Sequence, residues 1–94
     1  MKVLRYQIEK LGAFVDIEVP VDAKYVSCTY QNDRDAFNVY FMDRMISSGT
    51  ETKSFIVIPT GMDIPRHLGH IQPLGSVMTD GFHTFHILEN QYWL

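Results

Sequence analysis

Residues 24–42, KYVSCTYQNDRDAFNVYFM, are the stretch whose reading decides the fold. Val26, Cys28 and Tyr30 alternate with Tyr25, Ser27 and Thr29, and Phe37, Val39 and Phe41 alternate with Asn38, Tyr40 and Met42. Period-2 alternation of β-branched and aromatic residues is the signature of a strand with one buried face. Between the two runs, Asn32-Asp33-Arg34-Asp35 is a polar turn, so the stretch predicts two adjacent antiparallel strands. In this reading Tyr25 and Tyr40 face away from the apolar side.

The same pattern continues in both directions. Leu4, Tyr6 and Ile8 alternate with Arg5, Gln7 and Glu9 in a first strand, and Val15, Ile17 and Val19 alternate with Asp16 and Glu18 in a second that Pro20 ends. A loop is expected over residues 43–52, opening with a helical turn at 43–46. Phe55-Ile56-Val57-Ile58 run without alternation, as a strand covered on both faces does, so the strand over 53–58 is expected to be central. Residues 59–73, with three prolines and two glycines, read as a long irregular segment. Strands are expected to begin at Gly75 and at Phe82, the second running to Glu89, and the apolar tail 90–94 is expected to dock on the fold or on a partner.

Composition agrees with this reading. Three Ala and six Leu stand against eight Val, eight Ile, six Thr and twelve aromatic residues, a balance that favours pleated strands over helices. The expectation is a mainly β fold with little helix: a small antiparallel sandwich or partly open barrel of six to seven strands, one domain over residues 1–94. A 94-residue chain buries a modest share of its surface, which favours self-association, and a homo-oligomer is expected.

Eight basic residues against eleven acidic ones give a net charge of −3, which argues against duplex nucleic acid as a partner. The single cysteine, Cys28, cannot form an intrachain disulfide or a multi-cysteine zinc site. Charges at residues 2, 5, 9 and 10 leave no apolar signal-peptide core, and no stretch approaches a membrane span; the expectation is a cytoplasmic protein without membrane contact.

No phosphate-binding Gly-Lys-Ser loop, Gly-x-Ser-x-Gly elbow or His-Glu-x-x-His pattern is present, and the reading is that the protein is not an enzyme and needs no metal or cofactor. Of the histidines, His67 and His70 are expected in the irregular segment and His83 and His86 on the last strand. Thr60-Gly61 opens that segment, where a glycine can turn backbone amides toward an anion; Thr60 would add a hydroxyl donor, Arg66 a forked one and His67 an imidazole. A plain turn with a solvated arginine beside it is the alternative. Arg5 either reaches an anion or pairs with Asp16 or Glu18 across a hairpin. Tyr25 and Tyr40, and the terminal Tyr92 and Trp93, are aromatic candidates for stacking a base, against a purely packing role.

The ordered set Arg5-Tyr6, Ile17-Glu18-Val19-Pro20, Ala23, Gln31, Thr60-Gly61-x-x-Ile64-Pro65, Leu74-Gly75 and Phe85-His86-Ile87-Leu88-Glu89 resembles a family of small tailed-phage and prophage proteins without an assigned function. The match spans nearly the whole chain and departs from the pattern at 45–52 and 92–94. The resemblance implies a phage accessory protein acting in the host bacterial cytoplasm, in a class rich in inhibitors of bacterial immunity. One mode in that class is a sponge, an oligomer that sequesters a cyclic-oligonucleotide or ADP-ribose-type signal without cleaving it. On that expectation Arg5, Tyr6, Tyr25, Thr60, Gly61, Arg66, His67, His86 and Trp93 form the ligand-binding set. The alternative is a protein-interaction module that inhibits a host protein or serves as a minor virion component.

Overall fold

In the computed structural model, which describes all residues except 47, 82 and 92–94, the chain forms seven strands. They are β1 (Lys2–Ile8), β2 (Val15–Pro20), β3 (Lys24–Gln31), β4 (Ala36–Asp43), β5 (Thr50–Pro59), β6 (His70–Met78) and β7 (Thr84–Gln91), and the described residues contain no helix. Two antiparallel sheets result, a three-stranded one in the order β1-β4-β3 and a four-stranded one in the order β2-β5-β7-β6. They stack as a sandwich and do not close into a barrel.

The core lies between the sheets because each strand's alternation supplies one apolar face. Ile8, Phe37, Val39 and Phe41 of the smaller sheet meet Phe55, Val57 and Ile87 of the larger, all buried. Ring contacts cross the interface at Phe37–Phe85 (centroids 5.1 Å apart) and Phe41–Phe55 (5.8 Å).

β3 and β4 form the expected hairpin, closed by the Asp35 amide donating to the Asn32 carbonyl. Within β3 a bulge between Tyr25 and Ser27 reverses the expected faces at its start. Val26 is therefore exposed, and Tyr25 points inward onto Phe41 (6.0 Å) beside Cys28 and Tyr30. A bulge adds one residue to one strand, and a strict count of two cannot see it.

Other differences are equally local. β1 and β2 do not form a hairpin: they lie in different sheets, burying their apolar faces across the core rather than side by side. Arg5 is opposite Tyr40, and Asp16 opposite Ser54, so no Arg5 pairing with Asp16 or Glu18 forms. β5 begins at Thr50 rather than residue 53, because β2 continues to pair with it as far as Pro20. No helical turn forms at 43–46; the Met45 amide instead donates to the Asp43 carboxylate, with Met45 at positive φ. β6 starts at His70 and runs through Pro73, a residue an edge strand tolerates, with a register shift between Pro73 and Gly75.

β5 is central and covered on both faces, as its unbroken apolar run requires. Phe55 and Val57 point into the sandwich, while Ile56 and Ile58 point outward and cluster with Leu88, Phe14 and Ile71. The cover follows from topology: β5 and β6 run in the same direction with β7 between them, so their connection, residues 60–69, must cross β7. This strap passes over the outer face of the larger sheet. His67 lies against Phe14 (5.8 Å), Met62 against Gly12, and Gly69 beside the Asn90 side chain and the Gln91 carbonyl.

Candidate functional site

Where the strap leaves β5, Pro59-Thr60-Gly61-Met62 form a turn in which the Met62 amide donates to the Pro59 carbonyl. Gly61 has φ +93°, the left-handed third position for which a glycine is suited. The Thr60 amide donates to the Thr84 carbonyl, which continues the sheet. With the amides of Thr60 and Met62 engaged in this way, the turn does not aim them at an anion. Its effect is to set the Thr60 side chain over β7.

There Thr60 meets His86. Thr60 Oγ1 is 2.6 Å from His86 Nε2, and Ser76 Oγ, on the neighbouring strand β6, is 2.8 Å from Nδ1. The register dictates this meeting: His86 is directly opposite both Ile58 of β5 and Ser76 of β6, and directly opposed residues share a sheet face. A neutral imidazole has one N–H, so it donates to one hydroxyl and accepts from the other. Thr60 Oγ1 also lies 3.4 Å from the Thr84 carbonyl. A continuous chain is therefore available in which Ser76 donates to Nδ1, Nε2–H donates to Thr60, and Thr60 donates to Thr84.

His86 belongs to the wall of an open recess of about 310 Å³, lined by Ile58, Pro73, Leu74, Gly75, Ser76, His86 and Leu88. The lining is apolar apart from Ser76 and His86. Apolar walls with a few fixed polar groups are the usual make-up of a small-molecule site, and this volume is at the small end of such sites. The bulge of β6 shapes the recess. Gly75, just after the shift, faces the core on the other side of the sheet, where a Cβ would lie 2.6 Å from the Tyr25 hydroxyl and 2.9 Å from Cys28 Sγ.

The sequence-predicted residues separate into groups. Thr60 and His86 come together, and Gly61 shapes the turn that brings them together. Arg66 is exposed on the strap and does not line the recess. His67 is half-buried on the strap, its Nδ1 2.9 Å from the Pro65 carbonyl and its ring on Phe14, a contact that holds the strap to the sheet. Arg5 lies on the outer face of the other sheet. Tyr6 packs edge-on to Phe41 (6.2 Å), and Tyr25 packs on the same ring from β3. Burial pushes both phenols above their ordinary value, with Asp43 adding to the effect at Tyr6 and the hydrogen bond with Cys28 at Tyr25. Tyr92 and Trp93 lie outside the described residues.

Ser76, Ile58 and Leu74 escape the sequence reading because what joins them to His86 is cross-strand register, whereas Leu88, two residues along β7 on the same face, is within reach of period-2 alternation. Among the described residues no three His, Cys, Asp or Glu side chains converge as a metal cluster would require. The chemistry on offer is hydrogen bonding by two hydroxyls, held in place by an imidazole whose two nitrogens they engage, beside apolar surface.

Fold and site together define an open β-sandwich with a ligand-sized recess on its larger sheet. The chain belongs to the DUF7352 family, a domain of unknown function, which matches residues 1–92. No curated protein and no solved structure matches it.

Proposed function

We propose that the His86 recess binds a small ligand of the nucleotide class, and that the protein is a phage-encoded anti-defence factor that sequesters such an immune signal without cleaving it. The observation that supports this most is the imidazole held between Ser76 and Thr60 at the edge of an apolar-walled recess. A nucleobase has apolar faces for Ile58, Leu74 and Leu88, and a polar edge for the Ser76 hydroxyl, whose lone pairs stay available while His86 holds it in place. No charged side chain lines the recess, so the base enters it and the phosphates stay at its mouth. The nucleotide class and the phage role rest on the resemblance of the ordered motifs.

The test is thermal unfolding against cyclic di- and trinucleotides, linear dinucleotides and cyclic ADP-ribose isomers. A ligand at 100 times its dissociation constant adds about 2.7 kcal/mol, raising the midpoint of a domain this size by about 10 °C or more. His86→Ala is expected to abolish the shift while the variant stays folded, and the ligand is expected to be recovered intact after heating. A cleaved product would identify a hydrolase instead. A second reading, a protein-interaction module, is favoured by the outward apolar residues of the strap, Met62, Ile64 and above all Leu68, which is 80% exposed. Absence of a shift with every nucleotide would favour it.

A further inference from the structure

Both ring nitrogens of His86 are engaged, and which of them carries the proton decides what the recess shows to a ligand. With the proton on Nδ1, His86 donates to Ser76, Thr60 donates to Nε2, and the Ser76 proton is free for a ligand. With the proton on Nε2, His86 donates to Thr60, Thr60 donates to the Thr84 carbonyl 3.4 Å away, and Ser76 donates to Nδ1. The second arrangement makes three hydrogen bonds within the protein and the first makes two, so the second prevails.

In that arrangement, among the described residues, no side chain lining the recess has a proton to spare. Ile58, Pro73, Leu74, Gly75 and Leu88 carry no polar side-chain atom, the His86 proton is on Thr60, and the Ser76 proton is on His86. What remains is the lone pairs of Ser76 Oγ, an acceptor. We propose that the recess takes a base by an amino group, and that Thr60, acting through His86, is the positioning residue that sets this preference. The inference rests on the reading of the recess as a nucleotide site and names the class of base the site selects.

The discrimination comes from desolvation. An amino group that enters between the apolar walls exchanges its bond to water for one to Ser76 Oγ. A ring edge with only hydrogen at that point gains nothing from Ser76, and a carbonyl oxygen placed there gives up its water to meet another lone pair.

Matched nucleotides that differ only by the amino group test this: cyclic di-AMP against its analogue with hydrogen in place of each 6-amino group, cyclic di-GMP against cyclic di-IMP, and ADP-ribose against its analogue without the 6-amino group. Isothermal titration calorimetry on the full chain is expected to show binding in at least one pair, with the amino member about tenfold tighter. Ser76 and Thr60 are exposed, so their variants leave the core intact. Ser76→Ala is expected to bring the amino member down to the level of its partner. Thr60→Val removes the acceptor of the Nε2 proton, lets that proton move to Nδ1 and turns the Ser76 hydroxyl toward the ligand, so the preference is expected to shrink to about one. Equal affinities within every pair that binds, or a preference that survives either substitution, would overturn the inference and leave the nucleotide site standing. Binding by none of these nucleotides would overturn the nucleotide reading, and the inference with it.

Discussion

At the scale of single residues, the position with least freedom is Gly75. Its φ is not in the left-handed region, so its requirement is space: the Tyr25 hydroxyl and Cys28 Sγ occupy the volume a methyl group would take. This is where β3 comes down on β6, behind the recess, so the glycine couples the fold to the site. Gly75→Ala is expected to cost about 1–3 kcal/mol, the usual range for overpacking a tight core. Because the nearer obstacle is a hydroxyl, Tyr25→Phe should recover part of that loss in the double variant. Urea denaturation of the four proteins of the cycle measures this, and strictly additive losses would show that Gly75 is not held by Tyr25.

At the scale of elements, the β2–β5 ladder is braced from its outer side by Glu18. Its carboxylate accepts hydrogen bonds from Thr50 (2.7 Å) and Thr52 (2.6 Å), the residues by which β5 starts earlier than its apolar run. The Thr52 bond first, then the Thr50 bond, holds Glu18 below its usual value of 4.5. A carboxylate whose folded pKa is depressed stabilises the fold above the unfolded pKa and loses that contribution as pH falls through the folded value. An NMR titration is therefore expected to place the Glu18 midpoint below 4.5, with Thr52→Val raising it. A midpoint unmoved by that substitution would remove the Thr52 bond from the account. Glu18 and the threonines also illustrate how far the elements could be read from the sequence. Alternation in 4–9, 15–19, 24–31 and 37–42 predicts four strands, and the unalternating Phe55–Ile58 run a central one, because these signals are local. The sheet to which β1 and β2 belong, the bulge at Val26 and the early start of β5 depend on partners distant in sequence. For the same reason Thr60 and His86 were visible as candidates, while Ser76 becomes visible only once β6 is registered against β7.

At the scale of the whole molecule, the two sheets have different tasks: the larger one bears the His86 recess and the smaller one closes the core behind it. They act as one body only if the core between them makes unfolding cooperative. The hydrogen bonds of each sheet are internal to it, so cohesion between them rests on apolar side chains, chiefly Phe41 on Phe55 and Phe37 on Phe85. Phe41 and Phe55 are both buried, and each change to Ala is expected to cost about 3–5 kcal/mol, a large fraction of the 5–15 kcal/mol that stabilises a typical domain. If the ring contact itself contributes, the double variant should lose about 0.5–1.5 kcal/mol less than the sum of the singles. Denaturation followed at once by near-UV and far-UV circular dichroism tests the larger point. Coincident single transitions in wild type and variants would mean that damage at Phe41, in the smaller sheet, is transmitted to the sheet that carries the recess. Separate transitions, with Phe41→Ala lowering only one, would mean that each sheet holds itself together, and His86 would then keep its setting when the β1 sheet is lost.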